Sequence, residues 1–143
     1  MKRILIADDH ESVLRRIRGM LEPHPGWEIC GDAVTGRQAI AQAAELKPDL
    51  VVLDFAMPQM DGLKTAAAIK SLLPKVPILM FTMYSSAVSG EAERHGISRV
   101  IDKAKSGALL TAIEEVFAAQ EKELPQPARQ SPPATKIQID RAS

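Results

Sequence analysis

The stretch VVLDFAMPQMDG, residues 51–62, decides how the rest of the chain is read. Val51, Val52 and Leu53 form an unbroken apolar run, which suits a strand covered on both faces rather than one with a wet side. The run ends abruptly in a carboxylate, Asp54, and the residues after it carry a Met57-Pro58 and an Asp61-Gly62 turn signal. A buried charge is costly unless it is paired. An acid at the tip of such a strand therefore calls for partners elsewhere in the chain.

Working outward, five short apolar segments recur: ILIA (4–7), WEIC (27–30), LVVL (50–53), PILMF (77–81) and RVI (99–101). The stretches between them carry helical spacing: Leu14, Ile17 and Leu21; Ile40, Ala43 and Ala44; Leu63, Ala66, Ala67 and Lys70. A last helix shows Leu110, Ile113 and Phe117 on one face. Apolar strands that each lead into a helix predict an α/β fold, a parallel sheet with helices on both faces. Residues 85–95, SSAVSGEAERH, make a poor helix because of Gly90 and few large apolar side chains, so a short or mobile element is expected there. Residues 1–120 read as one domain. Residues 121–143 hold four of the ten prolines and little that could build a core, and read as a disordered tail or a linker.

The chain of 143 residues is long enough to bury a sizeable core without staples. Its single cysteine, Cys30, cannot form an internal disulfide and reads as a small core residue, and no Cys/His cluster has zinc-ligand spacing. The short apolar run after Lys2-Arg3 meets two aspartates at once, unlike a signal peptide or a membrane span, so the cytoplasm is the expected compartment. Eighteen basic residues balance eighteen acidic ones, and no basic stripe interleaved with aromatics appears. Direct nucleic-acid binding lacks its electrostatic footprint, which leaves proteins and small ions as the expected partners, with a homodimer open.

In a parallel α/β sheet, functional groups gather beyond the carboxyl ends of the strands. Those ends here carry Asp8-Asp9, Asp54, Thr82 and Asp102-Lys103. If the first and third strands are neighbours, three acids crowd together and repel unless a cation joins them. A hard divalent ion such as Mg2+ meets that need with two carboxylates, a backbone carbonyl and several waters. The bland alternative is that Asp8 or Asp9 caps a helix. His10 reads as a surface histidine that could approach the acids, and Tyr84 as an aromatic either over the strand tips or at the wet surface.

ILIADDH, VVLDFAMPQMDG, PILMFT and VIDK, in this order and at these strand ends, resemble the receiver domains of bacterial two-component response regulators, and the similarity covers roughly residues 2–120. The resemblance implies a flavodoxin-like (βα)5 three-layer sandwich with strand order 2-1-3-4-5. It also implies that Asp54 accepts a phosphoryl group from a sensor histidine kinase or a phosphotransfer protein, for a downstream protein to read. Matched to that pattern, Asp9, Asp54 and the carbonyl of Ala56 look like direct Mg2+ ligands and Asp8 like one acting through water. Thr82 resembles the switch hydroxyl and Lys103 the lysine that meets the phosphoryl oxygens.

Two positions depart from the pattern: Val100 stands where the family commonly has Tyr or Phe, and Ala104 where proline often follows the lysine. Ala56 also replaces the second Asp that haloacid-dehalogenase-type phosphatases place two residues after their nucleophile, so slow turnover is expected and an enzyme is the weaker reading. An adaptor that shares the fold but takes no phosphate is a further alternative. A flavin site is disfavoured because an acid pair, not a Gly/Ser/Thr-rich loop, follows the first strand.

Overall fold

The computed structural model describes residues 1–123. Five strands, β1 (Lys2–Ala7), β2 (Trp27–Ala33), β3 (Leu50–Leu53), β4 (Ile78–Thr82) and β5 (Arg99–Asp102), form one parallel sheet in the order β2-β1-β3-β4-β5. This is the flavodoxin-like order. The helices are α1 (Glu11–Leu21), α2 (Gly36–Leu46), α3 (Gly62–Leu72), α4 (Ser85–Ala92) and α5 (Gly107–Glu123), with short 3-10 turns at Glu93–His95 and Lys103–Lys105. One compact unit, Met1–Ala112, contains the whole sheet; among the described residues the second holds the later turns of α5, from Ile113.

The alternation of strand side chains sorts the core into two sides. Leu5, Ala7, Val51, Leu53, Ile78 and Met80 share one cluster with Ala39 and Ala43 of α2, Ala66 and Ile69 of α3, and Val88 and Ala92 of α4. Ile4, Ile6, Leu50, Val52, Leu79 and Phe81 alternate with them and are as fully buried. They face the other way, where α1 lies against β1 and β2 with Leu14, Ile17 and Leu21 inward. No position of β3 or β4 is wet, as their unbroken apolar runs require.

Local chemistry sets the helix starts. Thr35 caps α2 by accepting from Gln38 N, and Asp61 caps α3 by accepting from Lys64 N. The loop into β3 is tied to β1 by Arg3, whose guanidinium donates to the Leu46 carbonyl and whose backbone N donates to Asp49 Oδ2 at 2.8 Å. At the opposite end of the sheet from the acids, Trp27 pairs with Lys2 and stacks on His24, ring centroids 3.6 Å apart.

Several details differ from the sequence reading. β2 continues past Cys30 to Ala33, because strand pairing with β1 holds Gly31 and Asp32 extended without apolar help. In α2 and α3, Ala43 and Ala66 are buried as expected and Ala39, Thr65 and Ile69 are buried with them, while Ala44 and Ala67 are exposed. In α5 the buried residue of the first turn is Leu109 rather than the half-buried Leu110. Residues 121–123, expected in the tail, belong to α5, and the rest of that stretch lies outside the described residues. The 85–95 segment is short as expected, an eight-residue helix with only Val88 and Ala92 buried.

Candidate functional site

The sheet brings the strand tips together through its register. Ala7 pairs with Leu53, and the ladder continues as Asp54 N donates to the Ala7 carbonyl at 3.0 Å. Asp8 N donates to the Ala33 carbonyl at 3.0 Å, so Asp8 and Asp54 emerge side by side from β1 and β3. Thr82 pairs with Asp102, one residue before Lys103.

The acids are deep for charged groups. Asp8 is 1% exposed and Asp54 4%. The Lys103 ammonium lies between them, 2.6 Å from Asp8 Oδ2 and 3.2 Å from Asp54 Oδ2, with a side chain only 7% exposed. Lys103 therefore supplies part of the compensation that the crowded acids demand. With Asp9 beside them, three carboxylates still face one ammonium. Asp54 Oδ1 and Asp9 Oδ1 are buried without a hydrogen-bond partner. Oxygen donors, excess negative charge and two orphaned buried oxygens fit a hard divalent cation.

Neither Asp8 nor Asp9 caps α1. The cap position is His10, whose side chain makes no capping bond. Asp8 Oδ1 instead accepts from His10 N at 2.9 Å, and His10 Nδ1 lies 3.2 Å from Asp8 Oδ1 and 3.0 Å from Asp9 Oδ1. Despite this short approach, Asp9 Oδ1 has no hydrogen-bond partner. His10 is thus exposed, as expected, and also in contact with the acids.

The loop after Asp54 is shaped to hold that acid in place. Gly62 N donates to the Phe55 carbonyl at 2.7 Å, and a Cβ at Gly62 would collide with the Asp54 carbonyl oxygen, so only glycine fits. Gln59 turns the chain at φ 70. Ala56 sits half-buried in this loop. Thr82 is fully buried, and its Oγ1 accepts from Tyr84 N at 3.1 Å. Tyr84 is exposed, yet its ring meets Phe55 edge-on at 6.1 Å, so it lies against the residue following Asp54.

A clamp around Lys103 escaped the sequence reading. Asp102 Oδ1 accepts from Ala104 N at 2.8 Å, and Asp102 Oδ2 accepts from Ser85 Oγ at 3.2 Å. Where a proline would have no N–H, Ala104 offers one, and the carboxylate two residues earlier takes it. Asp-x-Ala before a turn was the available signal. Cys30 is half-buried against the core, and burial pushes its thiol pKa up, which suits an inert core residue.

The model of the response regulator receiver domain family matches residues 4–114. The chain belongs to that family. The receiver is 36% identical over 121 residues to a protein-glutamate methylesterase/protein-glutamine glutaminase of Nocardioides sp., covering 82% of this chain and 33% of that protein. It is 40% identical over 82 residues to the response regulator protein VraR of Staphylococcus aureus, covering 57% of this chain and 39% of VraR. Among solved structures, a CheY-like receiver domain protein from Methanospirillum hungatei superposes with a TM-score of 0.79 at 30% identity, covering 86% of this chain and 98% of that one. The receiver thus spans a minority of the length of the curated relatives it matches. These similarities make it a phosphorylatable module of two-component signalling and do not favour the phosphatase or adaptor readings. Receiver domains generally bind Mg2+ at an acidic pocket, and pair with histidine kinases or phosphotransfer proteins. Among the described residues no helix is long and apolar enough to cross a membrane.

Proposed function

We propose that Asp54 is the phosphoryl acceptor of this receiver and that Lys103, Thr82, Asp8 and Asp9 form the site around it. The observation that carries the reading is Asp54 itself: a buried carboxylate at the tip of the central strand, one oxygen held by Lys103 and the other without a partner. A carboxylate oxygen attacks the phosphorus of a phosphohistidine as the P–N bond breaks, and the imidazole leaves with the electron pair and takes up a proton. Such a transfer asks of the protein mainly position and charge neutralisation. Lys103 is held by Asp8 where it can meet a phosphoryl oxygen. The Thr82 hydroxyl donates to another phosphoryl oxygen, and the turn at Tyr84, bonded to that hydroxyl, passes the change to α4.

Asp9, Asp54 and the Ala56 carbonyl would hold Mg2+ directly, with Asp8 acting through water. Bound there, the ion supplies positive charge toward the phosphoryl oxygens. The readout surface is the α4 segment and Val100, bordering an open groove of about 580 Å3 lined in part by Ser89, Glu93, Ile97 and Val100. The receiver acts as a signalling module for a downstream protein and not as an enzyme; the methylesterase and glutaminase activities in its relatives' names are assigned to those longer proteins.

Intact-protein mass spectrometry after incubation with acetyl phosphate and Mg2+ tests the assignment. The wild type should gain one phosphoryl group and Asp54→Asn none. Equal labelling of both would overturn it.

A further inference from the structure

His10 is where the acid pocket gains a nitrogen. Its Nδ1 forms a three-ligand set with carboxylate oxygens of Asp8 and Asp9, all within 4.8 Å of one another. The shape of this set matters more than its size. Two ligands at right angles on an octahedral ion with bonds of about 2.1 Å lie about 3.0 Å apart. Nδ1 stands 3.0 Å from Asp9 Oδ1 and 3.2 Å from Asp8 Oδ1. The longer approach is a hydrogen-bond contact between Nδ1 and Asp8 Oδ1, whereas Asp9 Oδ1 is left without a hydrogen-bond partner and free to meet an ion beside Nδ1. A second, independent feature points the same way: Asp54, more than nine-tenths buried and tied to Asp8 through Lys103, holds its Oδ1 without a partner at the same sheet edge.

We infer that His10 makes the pocket selective for a first-row transition divalent ion over Mg2+, with Nδ1 as a ligand beside the carboxylates. Mg2+ is a hard cation that favours oxygen and gains little from imidazole, whereas ions from Mn2+ to Zn2+ gain progressively from it. The position of His10 is set by the backbone, since its N donates to Asp8 Oδ1 and its carbonyl accepts from Val13 N and Leu14 N at the start of α1. The imidazole, 65% exposed, stands at the mouth of the pocket. This inference rests on the acid pocket being the ion site of the proposed function and adds which ion it prefers.

The test uses the whole chain without phosphodonor. Pulsed electron paramagnetic resonance of bound Mn2+ should show a directly coordinated 14N in the wild type that disappears in His10→Ala and in His10→Phe. Calorimetric titration should show Co2+ affinity falling roughly tenfold or more in His10→Ala, with Mg2+ affinity changing less than twofold. Mn2+ bound without nitrogen coupling, or equal losses for Co2+ and Mg2+, overturns the inference while leaving Mg2+-dependent phosphorylation of Asp54 intact. If none of the three ions binds, both it and the ion site are overturned.

Discussion

The pocket at the tips of β1, β3 and β5 and the α4 segment beside it are made of opposite materials. In the pocket, charges are buried almost completely and held by one another: Asp8, Asp54 and Lys103 leave little room for rearrangement. Along Met83–Ala92, large side chains stand in water, Met83 at 66% and Tyr84 at 53% exposure, and only Val88 and Ala92 anchor the helix. The difference separates two duties. Phosphoryl chemistry needs positioning within fractions of an ångström, and a rigid strand tip gives it. A signal needs an element of low local stability whose position can be biased, and an eight-residue helix with Gly90 in its interior gives that.

The largest expected break in this contrast is Lys103→Met. Removing the ammonium leaves Asp8 and Asp54 buried and facing each other, and the protein should lose about 3–5 kcal/mol of unfolding free energy without divalent ions. Denaturant unfolding measures it; a loss below about 1 kcal/mol would mean that the pocket is wetter than its geometry indicates. Next comes Gly62→Ala, whose methyl would press on the Asp54 carbonyl and the Met80 side chain. Overpacking of this kind should cost about 1–3 kcal/mol and slow phosphoryl acceptance. Unchanged stability and rate would show that the loop yields freely.

On the soft side, Tyr84 is large enough to screen the approach to Asp54, and Ala56 offers no side-chain group to steer a water. Tyr84→Ala and Ala56→Asn should each speed loss of the phosphoryl group severalfold, about 1 kcal/mol in the barrier. Mass spectrometry after removal of the donor follows the decay, and unchanged lifetimes in both would place Tyr84 in partner binding instead. The smallest effect is Gly90→Ala. An added Cβ there meets nothing within 4 Å, so α4 should gain about 0.5–1 kcal/mol. If the contrast holds, this stiffening also weakens the difference in α4 amide exchange between phosphorylated and unphosphorylated protein. An unaltered exchange difference would show that α4 is not the biased element.

What the sequence revealed follows the same contrast. β3 and β4 were readable because burial on both faces leaves LVVL and ILMF without a polar residue, Thr82 standing only at the tip of β4. The strand-end residues were readable as a convergent set because the parallel sheet places them all at one edge. The last residues of β2 were hidden, since Gly31 and Asp32 are held extended by pairing with β1 and carry no apolar signal of their own. The burial phase of α5 slipped from Leu109 to Leu110 because adjacent leucines near a helix start satisfy either choice. The contact of His10 with the acids was left open and the Asp102 clamp went unread for another reason: both depend on side-chain directions that spacing does not encode. The same holds for Arg18, which donates to Asp32 Oδ2 at 2.9 Å across α1 and β2; chiefly this bond raises its pKa further.

Trp27 gives these experiments an optical witness. It is the only tryptophan in the chain, and it lies at the opposite end of the sheet from the acids, paired with Lys2. The five residue-to-residue steps from Lys2 to Ala7 place it about 16 Å from the tips of the strands. Stacked on His24 and mostly buried, its indole will change emission when the sheet comes apart and will stay indifferent to ions or phosphoryl groups at Asp54. Intrinsic fluorescence therefore reports unfolding uncontaminated by occupancy, and the quiet of that signal during ligand titrations is a property of where the fluorophore stands.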